Sequence, residues 1–223
     1  MYSPFTPSKI FPPVEEADEY GFLCAGGDLT PSVLTDAYTH GIFPWPFEYK
    51  NGEYLTSWFS PDPRCIFDFN AFHIPRRLAQ TIRSGKFEIT IDKNFEEVIR
   101  NCAETHSRKE GTWITPELQN AFINLHKLGI AHSVETMFDG QLAGGIYGLA
   151  INGFFAGESM FSLQSDTSKA ALVFLTEHLQ KQGFLLFDIQ IINHHTKQFG
   201  AVEISRSEYL QQLHTALQKT VQF

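Results

Sequence analysis

Ala131–Phe138 (AHSVETMF), Asp139-Gly140, Gln141–Ile151 (QLAGGIYGLAI), Asn152-Gly153 and Phe154–Glu158 (FFAGE) follow one another directly, and their reading decides the fold. The three runs carry β-branched and aromatic residues. Asp-Gly and Asn-Gly between them are the pairs that tight hairpin turns favour, because they tolerate positive φ. The stretch therefore predicts an antiparallel meander. Working outward, Ser168–Gln182 predicts a helix stopped by Gly183, Leu185–Gln190 a buried strand, and Asn193–Phe199 a short helix before Gly200. Ser205-Arg206-Ser207-Glu208 has the form of a capping box and opens a last helix. On the other side, Pro75 starts a short basic helix to about Ser84, a strand follows at Phe87–Ile91, and an amphipathic helix at about Phe95–Glu104. A further helix runs from Thr115-Pro116 to Gly129.

The first seventy or so residues read differently, being rich in Pro, Gly and aromatics. They hold one clear helix, with Thr30 as N-cap, Pro31 at its first position and Gly41 past its end. Gly26-Gly27-Asp28 and Ser60-Pro61-Asp62-Pro63 are turn segments. A meander followed by helix, strand and helix is the order of the acyltransferase fold that carries many N-acetyltransferases. The expected class is α/β (α+β). A small N-terminal α+β domain, residues 1–72, precedes an acetyltransferase-like (GNAT-like) domain, residues 73–223, whose sheet is mixed and largely antiparallel.

Composition excludes several function classes. With 223 residues, 43% hydrophobic and 14% aromatic, the chain can bury a core. A net charge of −8 opposes coating a nucleic acid, which needs accumulated Lys and Arg, but permits gripping a short end. The acidity also suits a partner with a cationic terminus. The start has no basic apolar leader, and no apolar run approaches the roughly 20 residues of a membrane span, so the expectation is a cytoplasmic protein without a membrane partner. Cys24, Cys65 and Cys102 are odd in number and lack any C-x-x-C pair, which suggests neither a disulfide framework nor a zinc site. Nine histidines show no ligand spacing, and the adjacent His194 and His195 point apart on a helix. No metal is expected, and nothing demands more than a monomer.

The acetyltransferase order makes one segment informative. Such enzymes hold the coenzyme A pyrophosphate on a Gly-rich loop at the helix after the meander. Here that segment is Leu163-Gln164-Ser165-Asp166-Thr167-Ser168-Lys169, without a glycine, so another acyl donor, or none, is expected. Five runs carry a closer likeness: Gly41-Ile42-Phe43-Pro44-Trp45, Trp58-Phe59-Ser60-Pro61-Asp62-Pro63-Arg64, Gly111-Thr112-Trp113-Ile114, Gly157-Glu158-Ser159-Met160-Phe161-Ser162 and Asp188-Ile189-Gln190. From about Phe11 to Tyr209 the chain resembles the bacterial leucyl/phenylalanyl-tRNA–protein transferases. The resemblance implies an aminoacyl-transferase that takes leucine or phenylalanine, with methionine as a further candidate, from aminoacyl-tRNA, and it implies no metal or organic cofactor. The acceptor it implies is the N-terminal amine of a protein beginning with Arg or Lys, which is thereby marked for N-terminal-dependent degradation.

Asp188 and Gln190 project from one strand face, Phe187 and Ile189 from the other. A Gln190 carbonyl can accept a hydrogen bond from the attacking amine, and Asp188 can supply negative charge. Alone, the pair reads equally as a strand end satisfying loop backbone; the resemblance makes it catalytic. Glu158 lies in apolar company and demands a partner, either a substrate cation or an internal cation; the resemblance selects the substrate. Ile146, Phe155, Leu172, Leu175 and Phe187 read as core by themselves, whereas the resemblance makes them the aminoacyl side-chain pocket. Leu175 stands where the family can carry an aromatic residue, which leaves the balance between leucine and phenylalanine open. By the same resemblance Trp45 and Trp113 stack on the terminal adenosine of the tRNA, in a contact of ~1–3 kcal/mol. Arg76, Arg77, Arg83 and Lys86 are either a solvated helix face or a grip on acceptor-stem phosphates. Backbone N–H groups near Asn193 are candidate donors to the ester oxygen. His194 and Phe199 depart from residues common in the family. The rival readings are a coenzyme A-dependent N-acetyltransferase and a noncatalytic adaptor for basic N-termini or tRNA ends.

Overall fold

The computed structural model describes residues 7–50, 53–110 and 112–223, without the side chains of 49, 50 and 106–110. Gly111, the first residue of the third motif, and the opening residues 1–6 lie outside the described residues. The first module contains β1 (Phe22–Ala25), α1 (Pro31–Thr39), β2 (Phe43–Pro44), β3 (Phe47–Lys50), β4 (Glu53–Leu55) and β5 (Ser57–Phe59). β1, β5 and β2 form a three-stranded sheet, and β3 and β4 a separate hairpin. α1 starts as its sequence dictates, since the Thr30 hydroxyl accepts the Val33 N–H.

The second module is built on seven strands in the order β12-β6-β11-β10-β9-β8-β7. These are β6 (Arg64–Phe67), β7 (Glu88–Ile91), β8 (Ala131–Phe138), β9 (Gln141–Ile151), β10 (Phe154–Ser162), β11 (Leu186–Gln190) and β12 (Ala201–Ile204). The helices are α2 (Arg76–Arg83), α3 (Phe95–Glu110), α4 (Pro116–Lys127), α5 (Thr167–Gln182), α6 (His194–Lys197) and α7 (Arg206–Leu217). The meander is β8–β9–β10, and its turns carry positive φ at Asp139, Gly140 and Asn152. Every pairing in the sheet is antiparallel except β10 with β11, which α5 connects. The sheet is thus mixed and largely antiparallel, in the acetyltransferase-like order of meander, helix, parallel strand and helix.

β6 lies within the first seventy residues, yet it is hydrogen-bonded between β11 and β12. The strand therefore joins the modules. β12 was not read from sequence, and α3 extends past Glu104 to Glu110. At α7 only half a capping box forms, the Ser205 hydroxyl accepting the Glu208 N–H. The reciprocal box closes instead at α6, between Asn193 and Thr196.

Two cores flank the sheet. One gathers Leu34, Tyr38, Phe43 and Trp58 from the first module with Phe95, Phe122, Tyr147, Phe161 and Leu213 from the second. The other holds Phe67, Leu78, Ile146, Phe155, Leu172, Leu175, Phe187 and Phe199. No described helix is long and apolar enough to cross a membrane. Among the described residues no group of three or more His, Cys, Asp and Glu could hold a metal ion.

Candidate active site

β10 and β11 run side by side only as far as Ala156 and Asp188. Both strands continue, β10 to Ser162 and β11 to Gln190, so a fork opens between them. Each strand is irregular at the fork. The β10 register against β9 shifts between Gly157 and Ser159, around Glu158, and the β11 register against β6 shifts between Asp188 and Gln190. A Cβ at Gly157 would lie 3.0 Å from the Phe187 ring, so glycine lets the strands approach just before they part.

Asp188 is fully buried. Its Oδ1 accepts from Arg64 Nε at 2.9 Å and from the Gln190 N–H at 3.0 Å. Its Oδ2 accepts from Arg64 Nη2 at 2.7 Å and from the Tyr209 hydroxyl at 3.0 Å. Arg64 Nη1 donates to the Gly41 carbonyl at 3.0 Å, and the guanidinium lies between the Phe43 and Tyr209 rings, 4.8 Å and 4.5 Å from their centroids. Burial alone would lower the proton affinity of Arg64, but Asp188 more than reverses that, so the group stays charged. The forked pairing is the geometry that makes a buried ion pair sustainable, since almost every donor and acceptor is used.

The alternation expected for β11 holds at Phe187 and Ile189, which join the second core, but the strand rule stops at Gln190. Gln190 has φ +56°, and the Ile191 N–H donates to the Ile189 carbonyl at 2.7 Å, closing a three-residue turn around it. This left-handed conformation is strained for a residue with a side chain and persists only where its surroundings impose it. The Gln190 side-chain NH2 is buried, with no hydrogen-bond partner among the described residues.

Glu158 sits on the β10 arm of the fork, near enough to Asp188 to feel its charge. Its Oε1 accepts the Tyr38 hydroxyl at 2.6 Å. Burial pushes the carboxyl up to about 8; the Tyr38 hydrogen bond and Arg64 pull it down, and the Asp188 charge adds to the rise. Tyr147 contributes a further buried hydroxyl, without a hydrogen-bond partner among the described residues, that feels the Glu158 charge. Glu158 thus has a hydroxyl partner and no direct ion pair among the described residues.

A cleft of about 910 Å³ adjoins the fork, lined among others by Trp45, Trp113, Met160, Ser168 and His195. Trp45 and Trp113 stack on each other at 5.2 Å and 24°. Trp45 is 37% exposed, whereas Trp58 is the buried core tryptophan. Ile146, Phe155, Leu172, Leu175 and Phe187 come together in the second core, all buried, and do not line the cleft. Arg76, Arg77, Arg83 and Lys86 are all exposed, three of them on α2, and Lys86 caps the Phe87 and Phe138 rings. The Asn193 N–H considered as an oxygen donor is engaged with the Thr196 hydroxyl at 3.1 Å. At the start of α5, Thr167 is buried and its hydroxyl donates to the Ala143 and Gln164 carbonyls, so its side chain packs onto β9 at Gly144.

Residues 66–214 match the family model of the leucyl/phenylalanyl-tRNA protein transferase, and residues 27–62 that of its N-terminal domain. The chain belongs to the leucyl/phenylalanyl-tRNA–protein transferase family. A relative of that name from Alkalilimnicola ehrlichii is 48% identical over 95% of this chain and 81% of its own length. Another, from Magnetococcus marinus, is 48% identical over 96% of this chain and 91% of its own. Among solved structures, a GCN5-related N-acetyltransferase from Kribbella flavida has a TM-score of 0.40 at 10% identity, covering 78% of this chain and 61% of that one. A likeness of that size says nothing about chemistry.

Arg64, Tyr209 and Tyr38 were not singled out in the sequence. Arg64 left a signal all the same: it heads the run Arg64-Cys65-Ile66-Phe67, and a cation opening a wholly buried strand requires a buried anion.

Proposed function

We propose that this member of the transferase family moves leucine or phenylalanine, with methionine as a third donor, from aminoacyl-tRNA to the α-amine of proteins beginning with Arg or Lys, marking them for N-terminal-dependent degradation. The observation that carries the reading is Gln190, a strained residue whose amide is buried and unsatisfied at the opening of the fork. In this reading the Gln190 side chain orients the attacking amine. Asp188, whose carboxylate is taken up by Arg64, Tyr209 and the Gln190 N–H, fixes the turn that aims it.

The donor ester is already activated, so holding amine and ester together supplies most of the acceleration, up to ~7–11 kcal/mol in favourable cases. Trp45 and Trp113 offer a stacking surface for the terminal adenosine beside the fork. The five apolar residues Ile146, Phe155, Leu172, Leu175 and Phe187 would form the side-chain pocket, and a difference of one methylene, ~1–3 kcal/mol, leaves more than one apolar donor acceptable. Arg76, Arg77, Arg83 and Lys86, all exposed, would grip the acceptor-stem phosphates. Thr167 packs onto Gly144 at the helix start where a coenzyme A pyrophosphate would need room, which favours the tRNA ester as donor.

The experiment presents the protein with tRNA carrying radiolabelled leucine or phenylalanine and two peptides, one beginning with Arg and one with acetylated Arg. Label on the free amine only is the expected result. No label on either, with charged tRNA still bound, would leave an adaptor.

A further inference from the structure

We propose that Glu158 is the proton acceptor of the transfer step. This rests on the aminoacyl-transfer reading of the fork and asks which group takes the proton that the amine must lose. Asp188 is poorly placed for it, because Arg64, Tyr209 and the Gln190 N–H engage both its oxygens with four donors. Gln190 is an amide, which can orient an N–H but does not hold a proton near neutrality. Glu158 stands on the opposite arm of the fork, at the β10 irregularity, and among the described residues its hydrogen bond is the one from Tyr38 to Oε1.

The groups that act on it come from several elements. Tyr38 on α1 and Tyr147 on β9 are phenols held protonated by burial, Asp188 is on β11, and Arg64 is on β6. Cys102 of α3 bonds to the neighbouring Ser159, and its thiol is pushed up by burial. Burial pushes the Glu158 carboxyl up to about 8, into the working range. A protein α-amine titrates at about 7.7–8.0. Near that pH a usable fraction of the amine is neutral and a usable fraction of Glu158 is ionised, and a base that titrates near the working pH is the most effective.

The amine lone pair attacks the ester carbonyl carbon and a C–N bond forms. Glu158 takes the proton from that nitrogen, the bond from carbon to the ribose oxygen breaks, and the ribose oxygen leaves with the same proton as a hydroxyl. Amine and ester have become amide and alcohol, and the carboxylate is restored.

The test measures single-turnover transfer from saturating Leu-tRNA to an Arg-initiated peptide between pH 6 and 9.5, for the wild type, Glu158→Gln, Glu158→Asp and Glu158→Ala with and without formate. Glu158→Gln removes a part-buried charge without changing shape, so a folded protein is expected, and circular dichroism checks it. The expected result is a saturating rate at least ~10²-fold lower in Glu158→Gln, with peptide and tRNA binding changed only a few-fold. Glu158→Asp retains part of the rate with a shifted pH limb, and formate partly restores Glu158→Ala. A raised half-saturating peptide concentration with unchanged saturating rate and pH profile would overturn the inference, leaving Glu158 as a binding group while aminoacyl transfer stands. Absence of transfer by the wild type would instead remove the reading on which the inference rests.

Discussion

At the residue scale the site depends on a charge pair whose members lie 124 positions apart in the chain. Removing one partner leaves the other buried and uncompensated, which costs ~3–5 kcal/mol, whereas replacing both is far milder. Urea denaturation should therefore show Arg64→Met and Asp188→Asn each strongly destabilised and the double variant less so than their sum; additive losses would mean the two charges do not compensate each other. Sequence alone suggested Asp188, because a carboxylate beside an amide on an apolar strand invites a reason. It did not give the partner, since nothing local to Arg64 says which of the distant acids it meets. Gln190 was legible as a polar side chain and not as a strained one, because its positive φ is imposed by a register shift between strands that sequence order leaves open. Tyr38 and Tyr209 carry no local mark in the sequence; both lie in the first core, and their hydroxyls reach the fork.

At the scale of elements the meander was readable because Asp139-Gly140 and Asn152-Gly153 fix both turn and register. The short β12 was not, for its four residues include two exposed ones and no alternation. α2 shows the limits of pattern in another way. Its basic residues were visible, but exposure alone suits a solvated face as well as a phosphate grip. Arg76 and Arg83 are seven positions apart and so share a face of the helix. Replacing both with Glu should weaken charged-tRNA binding and reduce its salt dependence by on the order of one unit of log–log slope per arginine, as titration at several salt concentrations would show. Binding unchanged at low salt would return α2 to being a solvated helix. Five buried apolar residues spread over β9, β10, α5 and β11 gather in one core, which periodicity also required of them; their further use as a pocket came from resemblance alone.

Over the whole molecule, the first seventy residues do not form an independent layer. One core runs from Phe11 to Leu217 through both modules, and β6 is shared with the large sheet. Thermal unfolding followed by near-UV and far-UV circular dichroism should accordingly give one coincident transition. Two separated transitions would show the modules to be independent. The composition shift near residue 70 was legible, but it marks a change of style within one folded body, because hydrogen bonding of β6 to strands made much later depends on tertiary pairing. That topology also sets a schedule. A chain made from its N-terminus releases Arg64–Phe67 early, and the strands that flank it, β11 and β12, emerge more than a hundred residues afterwards. In the interval β6 has two bare edges and a cation without its anion, a state open to wrong pairing. The meander can form meanwhile from local contacts. Synthesis of β11 then brings the flanking strand, Asp188 and Gln190 together, so that the sheet closes and the fork is completed in the same event. A nascent chain halted before β11 would thus be largely built and wholly inactive.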